Sequence, residues 1–396
     1  MARIIFFLID GFSDLPRKDT PLRLASKKFL ESLKEKIWLG KFLPLEKKYW
    51  PKYGEKSITG LANLGILGYK IKPEKLKRGP LEAIGSEIEF KNGELALRID
   101  FASVDENLRV IDRRSGRNTF GLEELSQDIN KQIFSIPFHF HRTYGHRGVL
   151  IFKTKLSPNI SDSDPYKNGV RVKKIKPLRN NKLAKESAKI VWNFLIQTYN
   201  LLKNHHINQK RKKLKLPPAN FLLSREAGNK IIKLKNFFEK YKIKNGVVIA
   251  ENGVVKGGCI LSGFKAITLP EIENLEERYK FYEEKIKESF DFFELIYLHL
   301  KEADEASHDK NPLKKKKFFE FFDKWFSKIY DSKTIFIITG DHITDSKLGK
   351  HLWGYLPIII INHPLYKNNP KEISEIEAYK NEFLSPQKLW KIIEKT

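Results

Sequence analysis

The chain has one cysteine and one methionine among its 396 residues, and it lacks any long apolar run. A single cysteine, Cys259, cannot form a disulfide within the chain, so a disulfide-stapled scaffold is excluded. The longest apolar stretches, residues 4–9 and LPIIII from Leu356, are too short to cross a bilayer, which takes about 20 residues. Asp10 interrupts the first stretch before a signal-peptide cleavage site could follow. We therefore expect a cytoplasmic protein with no membrane partner.

Positive charge is abundant, because 74 Lys and Arg residues against 48 Asp and Glu residues leave a net charge of +26. Such a surplus is compatible with nucleic-acid binding. The lysines are nevertheless spread over the whole chain rather than gathered in one arm. The densest run, Lys314–Lys317, precedes a stretch whose helical spacing predicts inward-facing Phe318, Phe322, Trp325 or Phe326, and Ile329. We interpret the lysines as a solvated surface that attracts small anions, so a nucleic-acid partner is not expected.

Four apolar runs predict buried parallel strands, at residues 3–9, 295–300, 334–339 and 356–362. The first run lies more than two hundred residues before the others, so one sheet holding all four requires a long insertion. The intervening residues show shorter alternating segments, such as GELALRIDF, separated by turn signals such as Asn92-Gly93. We therefore predict an α/β core domain, residues 1–72 and 267–396, and an inserted α+β domain, residues 73–266.

Acidic residues and histidines follow three of the predicted strands, where ligands gather in open α/β sheets. Carboxylates and imidazoles together bind borderline divalent metals. Two such ions can clamp the attacking and leaving oxygens of a phosphoryl transfer. The pattern predicts a two-metal site, with Mn²⁺ expected and Zn²⁺, Co²⁺ or Mg²⁺ compatible. Its candidate residues are Asp10, the Asp304 and His308 pair four residues apart, the Asp341-His342 pair, and His351.

A series of short motifs adds to this pattern, in a fixed order between residue 3 and about residue 360. They are IDG (9–11), TPL (20–22), ANLGILGY (62–69), RGPLEAIG (78–85), FASVDEN (101–107), VIDRRSGR (110–117), HRGV (146–149), LSPNISDSDP (156–165), PPAN (217–220), DEASHD (304–309) and TGDH (339–342). Together they resemble the archaeal type of cofactor-independent phosphoglycerate mutase, within the alkaline phosphatase superfamily. The resemblance implies an alkaline-phosphatase-like α/β core with a mainly parallel central sheet, plus an inserted α+β substrate-binding domain.

The resemblance also implies a reaction and its metal ligands. The reaction is the interconversion of 3-phosphoglycerate and 2-phosphoglycerate in glycolysis and gluconeogenesis, through a phosphoenzyme. One metal would be held by Asp304, His308 and His351. The second would be held by Asp10, Asp341, His342 and the nucleophilic hydroxyl.

The position of the nucleophile follows from the same family pattern. The family has a Ser-Asp pair nine residues before the glycine of its Leu-Gly-Tyr motif. Counting back from Gly68 gives Thr59, followed by Gly60 instead of an acidic residue. Threonine is chemically competent, since related members of the superfamily are phosphorylated on threonine. Ser57 remains the alternative if the loop is shifted by two residues.

Arginines supply forked donors that match phosphate and carboxylate groups, both of which a phosphoglycerate carries. The family-like stretches contain six candidates for substrate binding: Arg113, Arg114, Arg117, Arg147, Arg211 and Arg225. Lys285 aligns with a family lysine that touches the transferring phosphoryl group, and Asp112 is a candidate for proton handling. His139 and His141 alternate on one face of a predicted strand, and we interpret them as structural.

Two other functions stay open from the sequence. A metal-dependent phosphohydrolase of the same superfamily would share every metal ligand, but it would not need to retain glycerate. A degenerate, basic nucleic-acid-binding protein would explain the charge instead. The predicted second domain favours the mutase, because a trapped glycerate must be shielded from water.

Overall fold

The computed structural model describes residues 3–50 and 58–394. Within these ranges the strands are β1 Arg3–Ile9, β2 Ile37–Phe42, β3 Glu94–Val104, β4 Val110–Asp112, β5 Phe138–Arg142, β6 Arg147–Lys155, β7 Phe221–Gly228, β8 Gly246–Ala250, β9 Lys265–Thr268, β10 Leu295–Leu300, β11 Thr334–Thr339, β12 Ile343–Asp345, β13 Lys350–Leu352, β14 Leu356–Ile361 and β15 Phe383–Leu384. The helices are α1 Pro21–Leu24, α2 Lys28–Ser32, α3 Thr59–Ile66, α4 Arg78–Gly85, α5 Leu122–Lys131, α6 Lys182–Leu202, α7 His206–Lys213, α8 Phe237–Tyr241, α9 Val254–Leu261, α10 Leu275–Ser289, α11 Glu302–His308, α12 Pro312–Ile329, α13 Glu375–Lys380 and α14 Pro386–Ile393. None of these helices is long and apolar enough to span a membrane.

The larger sheet has eight strands in the order β15-β2-β14-β11-β1-β10-β8-β9. Five neighbours, from β11 through β9, run parallel. The expectation of an α/β fold with a mainly parallel central sheet is confirmed. The expectation that residues 356–362 form a parallel strand is wrong, because β14 pairs antiparallel with β11. The connection between them holds only the short β12–β13 hairpin, whereas a parallel return usually requires a helical crossover.

The centre of this sheet is apolar because β1 is covered on both faces. Residues 4–9 are all buried, with β10 on one side and β11 on the other. One face packs against α12, where Phe322 meets Phe7 edge to face at 5.4 Å between ring centroids. The inward residues expected from the helical spacing are all buried: Phe318, Phe322, Trp325, Phe326 and Ile329. The prediction of an amphipathic helix after the lysine run is therefore confirmed.

The smaller sheet has five strands, with β4-β3-β6-β5 in order and β7 paired to the other edge of β3. Its strands all lie within residues 94–228, and they share a separate hydrophobic cluster with α6. The limit expected at residue 266 is therefore too far along the chain. Strands β8 and β9 join the eight-stranded sheet instead, because residues 246–249 pair with β10 and residues 247–250 pair with β9.

Candidate active site between the two sheets

A cavity of about 720 Å³ is lined by residues from both sheets and their helices. The eight-stranded sheet and its helices contribute most of the acidic and imidazole side chains, together with Thr59 at the start of α3. The five-stranded sheet and its loops contribute most of the lining arginines. Most of the carboxylate and imidazole groups therefore reach this space from one sheet, and most of the guanidinium groups reach it from the other.

The first group of possible metal ligands is Asp304, His308 and His351, whose ligand atoms all lie within 4.8 Å of one another. Asp304 and His308 lie one helical turn apart on α11, so both side chains leave the same face. The Nε2 atoms of His308 and His351 are only 3.0 Å apart. His308 Nδ1 lies 3.2 Å from the Gly349 carbonyl, to which it donates when protonated. That hydrogen bond leaves the Nε2 lone pair available to a metal.

The second group comprises Asp10, Asp304 and His342, again with ligand atoms within 4.8 Å. His342 Nε2 lies 3.3 Å from Asp10 Oδ1 and 3.2 Å from Asp341 Oδ2. Within the described residues, Asp10 Oδ1, both Asp341 oxygens and His342 Nε2 are buried without a hydrogen-bond partner. Buried polar atoms without partners are costly and rarely left so. A divalent cation would satisfy all of them, so this donor set fits the expected metals.

The electrostatics of this cluster agree with the same interpretation. Burial raises the pKa of Asp341 well above its usual value, and the neighbouring Asp10 and Asp304 carboxylates raise it further. Burial also opposes ionisation of Asp304, but His351 and His308 lower its pKa well below the usual range. The crowded carboxylates therefore oppose ionisation of Asp341, whereas a bound cation would favour its charged form.

Gly11 allows the end of β1, which Asp10 directly follows, to approach α11, which carries Asp304. Its φ of +69° lies in the left-handed region that favours glycine, and a Cβ placed there would lie 2.7 Å from the Asp304 backbone Cα. The residue after Asp10 must therefore lack a side chain for the end of β1 to approach α11. This close approach lets Asp10 and Asp304 share one group of ligand atoms.

Most of the cavity arginines already have carboxylate partners. Arg225 pairs with Asp100, Arg113 with Asp164, and Arg117 with Asp309. Arg114 differs, because no carboxylate among residues 3–50 and 58–394 lies within 4.0 Å of its guanidinium. Burial lowers the pKa of Arg114 from its usual value, and the like charge of Arg117 lowers it further. Arg114 is therefore the arginine best placed to accept an anion from solution.

The structure brings most of the candidate residues to the cavity or directly behind it. Those that line the cavity are Asp10, Thr59, Asp304, His308, His351, Arg113, Arg114, Arg117, Arg147 and Arg225. Asp341 and His342 are buried directly behind this lining, 1% and 2% exposed. The alternative nucleophile, Ser57, lies outside the described residues.

Three candidates lie away from the cavity lining. Arg211 is fully buried, and its guanidinium donates to backbone carbonyls. Lys285 lies on α10, where its ammonium is 2.7 Å from Glu288 of the same helix. Asp112 accepts the backbone N–H groups of Arg114 and Gly116 at 2.6 and 3.2 Å. None of the three lines this cavity, although Asp112 borders a second pocket that shares Arg114 and Arg117 with it.

The cavity also contains charged residues that the sequence pattern did not indicate. Lys301 directly follows β10 and pairs with Glu251, which directly follows β8. His299 lies beside Asp10, at 3.7 Å from Nε2 to Oδ2. The sequence contains a signal for Lys301, because this residue stands at a strand end three residues before Asp304. It contains no comparable signal for Glu251, because the sequence does not identify β8 as a strand of the same sheet.

The amino-acid sequence of this chain is similar to those of known proteins. Residues 52–208 match the family model of 2,3-bisphosphoglycerate-independent phosphoglycerate mutase. The phosphoglycerate mutase 1 of Methanocaldococcus jannaschii is 33% identical, over 96% of this chain and 93% of that protein. The chain belongs to this mutase family. Another member, from Archaeoglobus fulgidus, is 32% identical over 95% of this chain and 93% of that protein.

Solved structures agree with the fold expected of a family member. The cofactor-independent phosphoglycerate mutase from Thermoplasma acidophilum superimposes with a TM-score of 0.57 at 25% identity, covering 98% of each chain. A protein from Pyrococcus horikoshii gives a TM-score of 0.72 at 24% identity, over 98% of this chain and 95% of that one. The second likeness bears on the fold alone.

Proposed function

We propose that this mutase family member interconverts 3-phosphoglycerate and 2-phosphoglycerate by passing the phosphoryl group through the Thr59 hydroxyl. The observation that carries the proposal is the composition of a single cavity. Thr59, most members of the two groups of possible metal ligands and a cluster of arginines border it, and His342 lies directly behind. We assign the reaction to glycolysis and gluconeogenesis in the cytoplasm, with a phosphorylated three-carbon acid as the small-molecule partner.

We infer a division of labour between two units. The eight-stranded sheet with its helices forms the metal-binding core, which we assign to the alkaline-phosphatase-like architecture. The five-stranded sheet, within residues 94–228, forms an inserted substrate-binding unit. Their separate hydrophobic clusters support this division. The cavity that both units line supports the idea that substrate is held between them.

Two divalent cations, with Mn²⁺ expected, complete the core in this proposal. Asp304, His308 and His351 would hold one ion. Asp10, Asp341, His342 and the Thr59 oxygen would hold the other. Bound cations of this kind lower the pKa of a hydroxyl and neutralise phosphoryl oxygens. The buried, unpartnered oxygens of Asp10 and Asp341 are the contacts that support this assignment.

The transfer takes place in two balanced steps. Thr59 Oγ1 forms a bond to phosphorus while the bond from phosphorus to glycerate oxygen 3 breaks, and the proton lost by Thr59 ends on that oxygen. Glycerate then reorients, and its oxygen 2 forms a bond to phosphorus while the bond from phosphorus to Thr59 Oγ1 breaks. The proton lost by the 2-hydroxyl ends on Oγ1, which restores the Thr59 hydroxyl. Thr59 is the first residue of α3, where backbone N–H groups favour a phosphate. We assign Lys301, not Lys285, to contact the transferred group, because Lys301 borders the cavity.

In this proposal, the arginines of the cavity retain glycerate between the two steps. Arg114 binds the anionic end of the substrate, since its guanidinium lacks a carboxylate partner among the described residues. We assign Asp112 to holding the Arg114 loop by its backbone bonds instead of handling a proton. The Arg117–Asp309 pair links the loop to the residue that follows α11. A loop held there would help to exclude water, which otherwise turns the transfer into hydrolysis.

A coupled assay tests the proposal. Purified protein loaded with Mn²⁺ and given 3-phosphoglycerate should form 2-phosphoglycerate with little free phosphate. Release of phosphate without 2-phosphoglycerate would identify a phosphohydrolase instead. Thr59→Ala should bind metal but lose several orders of magnitude in turnover, while Thr59→Ser, the matched control, should stay active.

An acid quench identifies the phosphorylated residue. Brief incubation with 3-phosphoglycerate should leave phosphate on the peptide that contains Thr59. Phosphate on Ser57 would change the assignment of the nucleophile but keep the phosphoenzyme. A fully active Thr59→Ala with no phosphopeptide would reject a nucleophile from this loop.

A further inference from the structure

Thr344, on β12, connects the two groups of metal ligands through one hydroxyl. Its Oγ1 lies 2.8 Å from Asp304 Oδ1 and 3.0 Å from His342 Nδ1. Thr344 itself is fully buried. Asp304 belongs to both ligand groups, whereas His342 belongs only to the group with Asp10. The hydroxyl therefore links Asp304 directly to His342.

The direction of these hydrogen bonds follows from counting protons. A hydroxyl has one proton, and an ionised carboxylate can only accept, so Thr344 donates to Asp304. The same hydroxyl must then accept from His342, which requires the proton of the neutral imidazole to lie on Nδ1. His342 Nε2 is left with its lone pair, 3.3 Å from Asp10 Oδ1 and 3.2 Å from Asp341 Oδ2. This is the form of histidine that binds a metal through Nε2.

The backbone of Thr344 is also held in place, by two hydrogen bonds. Its N–H donates to the Ser13 carbonyl at 3.1 Å, and its own carbonyl accepts from Lys315 Nζ at 3.0 Å. Lys315 is fully buried and forms an ion pair with Asp14 at 2.6 Å. The threonine is thus fixed by the segment after β1 and by α12. Its hydroxyl has little freedom to leave Asp304 and His342.

We propose that Thr344 is a positioning residue that fixes the tautomer of His342 and the orientation of Asp304, and so supports binding at both metal positions. This inference rests on the proposed function, because it takes the two ligand groups to hold divalent cations. Loss of the hydroxyl would free His342 Nδ1 and Asp304 Oδ1 together. It would therefore weaken both ions, although Thr344 touches neither.

The experiment compares Thr344→Val with Thr344→Ser in the full chain. Valine keeps the branched shape and loses the hydroxyl, whereas serine keeps the hydroxyl. Thr339→Val is the matched control, since Thr339 is equally buried and its hydroxyl donates to the Pro357 carbonyl at 2.8 Å. Mn²⁺ affinity and stoichiometry are measured by equilibrium dialysis with elemental analysis, and folding is measured by urea denaturation.

Thr344→Val should lose about 10–100-fold in Mn²⁺ affinity at both sites, the usual range for removing a partner of a metal ligand. Thr344→Ser and Thr339→Val should stay within about threefold of the parent. Parent-like binding by a folded Thr344→Val would overturn this inference while leaving the proposed function intact. Equal losses in Thr344→Val and Thr339→Val would also overturn it, because packing alone would then explain them. A parent protein that binds no Mn²⁺ would overturn the proposed function and this inference together.

Discussion

Arg211 offers a direct test of how the arginine-rich loop is supported. Its fully buried guanidinium donates to the carbonyls of Pro217, Phe120 and Ser115 at 2.8, 2.7 and 2.9 Å. Ser115 lies inside the loop that carries Arg114, so Arg211 holds that loop from behind. Arg211→Lys keeps the positive charge but removes the planar set of donors.

The loss in the free energy of unfolding can be worked out from the hydrogen bonds of Arg211 that a lysine cannot make. A hydrogen bond from a charged donor contributes about 1.5–3 kcal/mol, and a buried carbonyl left without a partner costs about 1–3 kcal/mol. If lysine reaches one or two of the three carbonyls, the free energy of unfolding should fall by about 3 kcal/mol. Urea denaturation of the parent and Arg211→Lys measures this difference.

Arg114→Lys is the matched variant, because it changes the same residue type in the supported loop. It should alter the free energy of unfolding by less than about 0.5 kcal/mol, because no ion pair within the described residues is lost. Its KM for 3-phosphoglycerate should rise at least tenfold. The reasoning fails if Arg211→Lys unfolds like the parent and shows the larger rise in KM. Arg211 would then contact substrate, and the boundary of the cavity would be misplaced.

Three further predictions concern other parts of the molecule. Burial raises the pKa of Glu375 to about 7, so the folded protein holds a proton there that the unfolded chain releases near pH 4.5. Stability should therefore fall as pH rises between these values, and Glu375→Gln should remove roughly 3 kcal/mol of that fall, measured by urea denaturation at pH 4 and pH 8. His351→Ala should lose the ion held with Asp304 and His308 before the other ion, as elemental analysis after dialysis would show. Lys301→Met should lower kcat by about 10²–10³, whereas Lys285→Met should leave it near the parent value, and the reverse order would restore Lys285 to the site.

The apolar runs were sufficient to predict the centre of the larger sheet. Residues 3–9, 295–300 and 334–339 form β1, β10 and β11 as expected. Strand direction was less predictable, because an apolar run looks the same whichever way the chain passes through the sheet. The antiparallel course of β14 depends on the short hairpin before it. The extent of the insertion depended in turn on β8, whose few apolar residues give too weak a signal to reveal its partner β10.

In the candidate site too, the sequence predicts which side chains of one element lie together, but not how different elements pack. Regular spacing within one element placed Asp304 and His308 together, and the structure brings His351 to them. Their role as metal ligands stays a prediction. Residue type alone did not distinguish Arg211, which faces backbone carbonyls, from Arg114, which faces the cavity. That distinction depends on tertiary packing, and so does the placement of Lys301 over Lys285.

The central position of β1 in the larger sheet also determines how early that sheet can fold during protein synthesis. Its two neighbours, β10 and β11, lie roughly 290 and 330 residues further along the chain. At about 5–20 residues per second, the ribosome needs roughly 15 to 60 s to reach them. During that interval residues 4–9 lack their native partner strands, and their apolar side chains are available to chaperones or to other nascent chains. The cluster around Asp10 and Asp304 therefore forms late, so divalent-ion binding at that cluster would report that folding is complete.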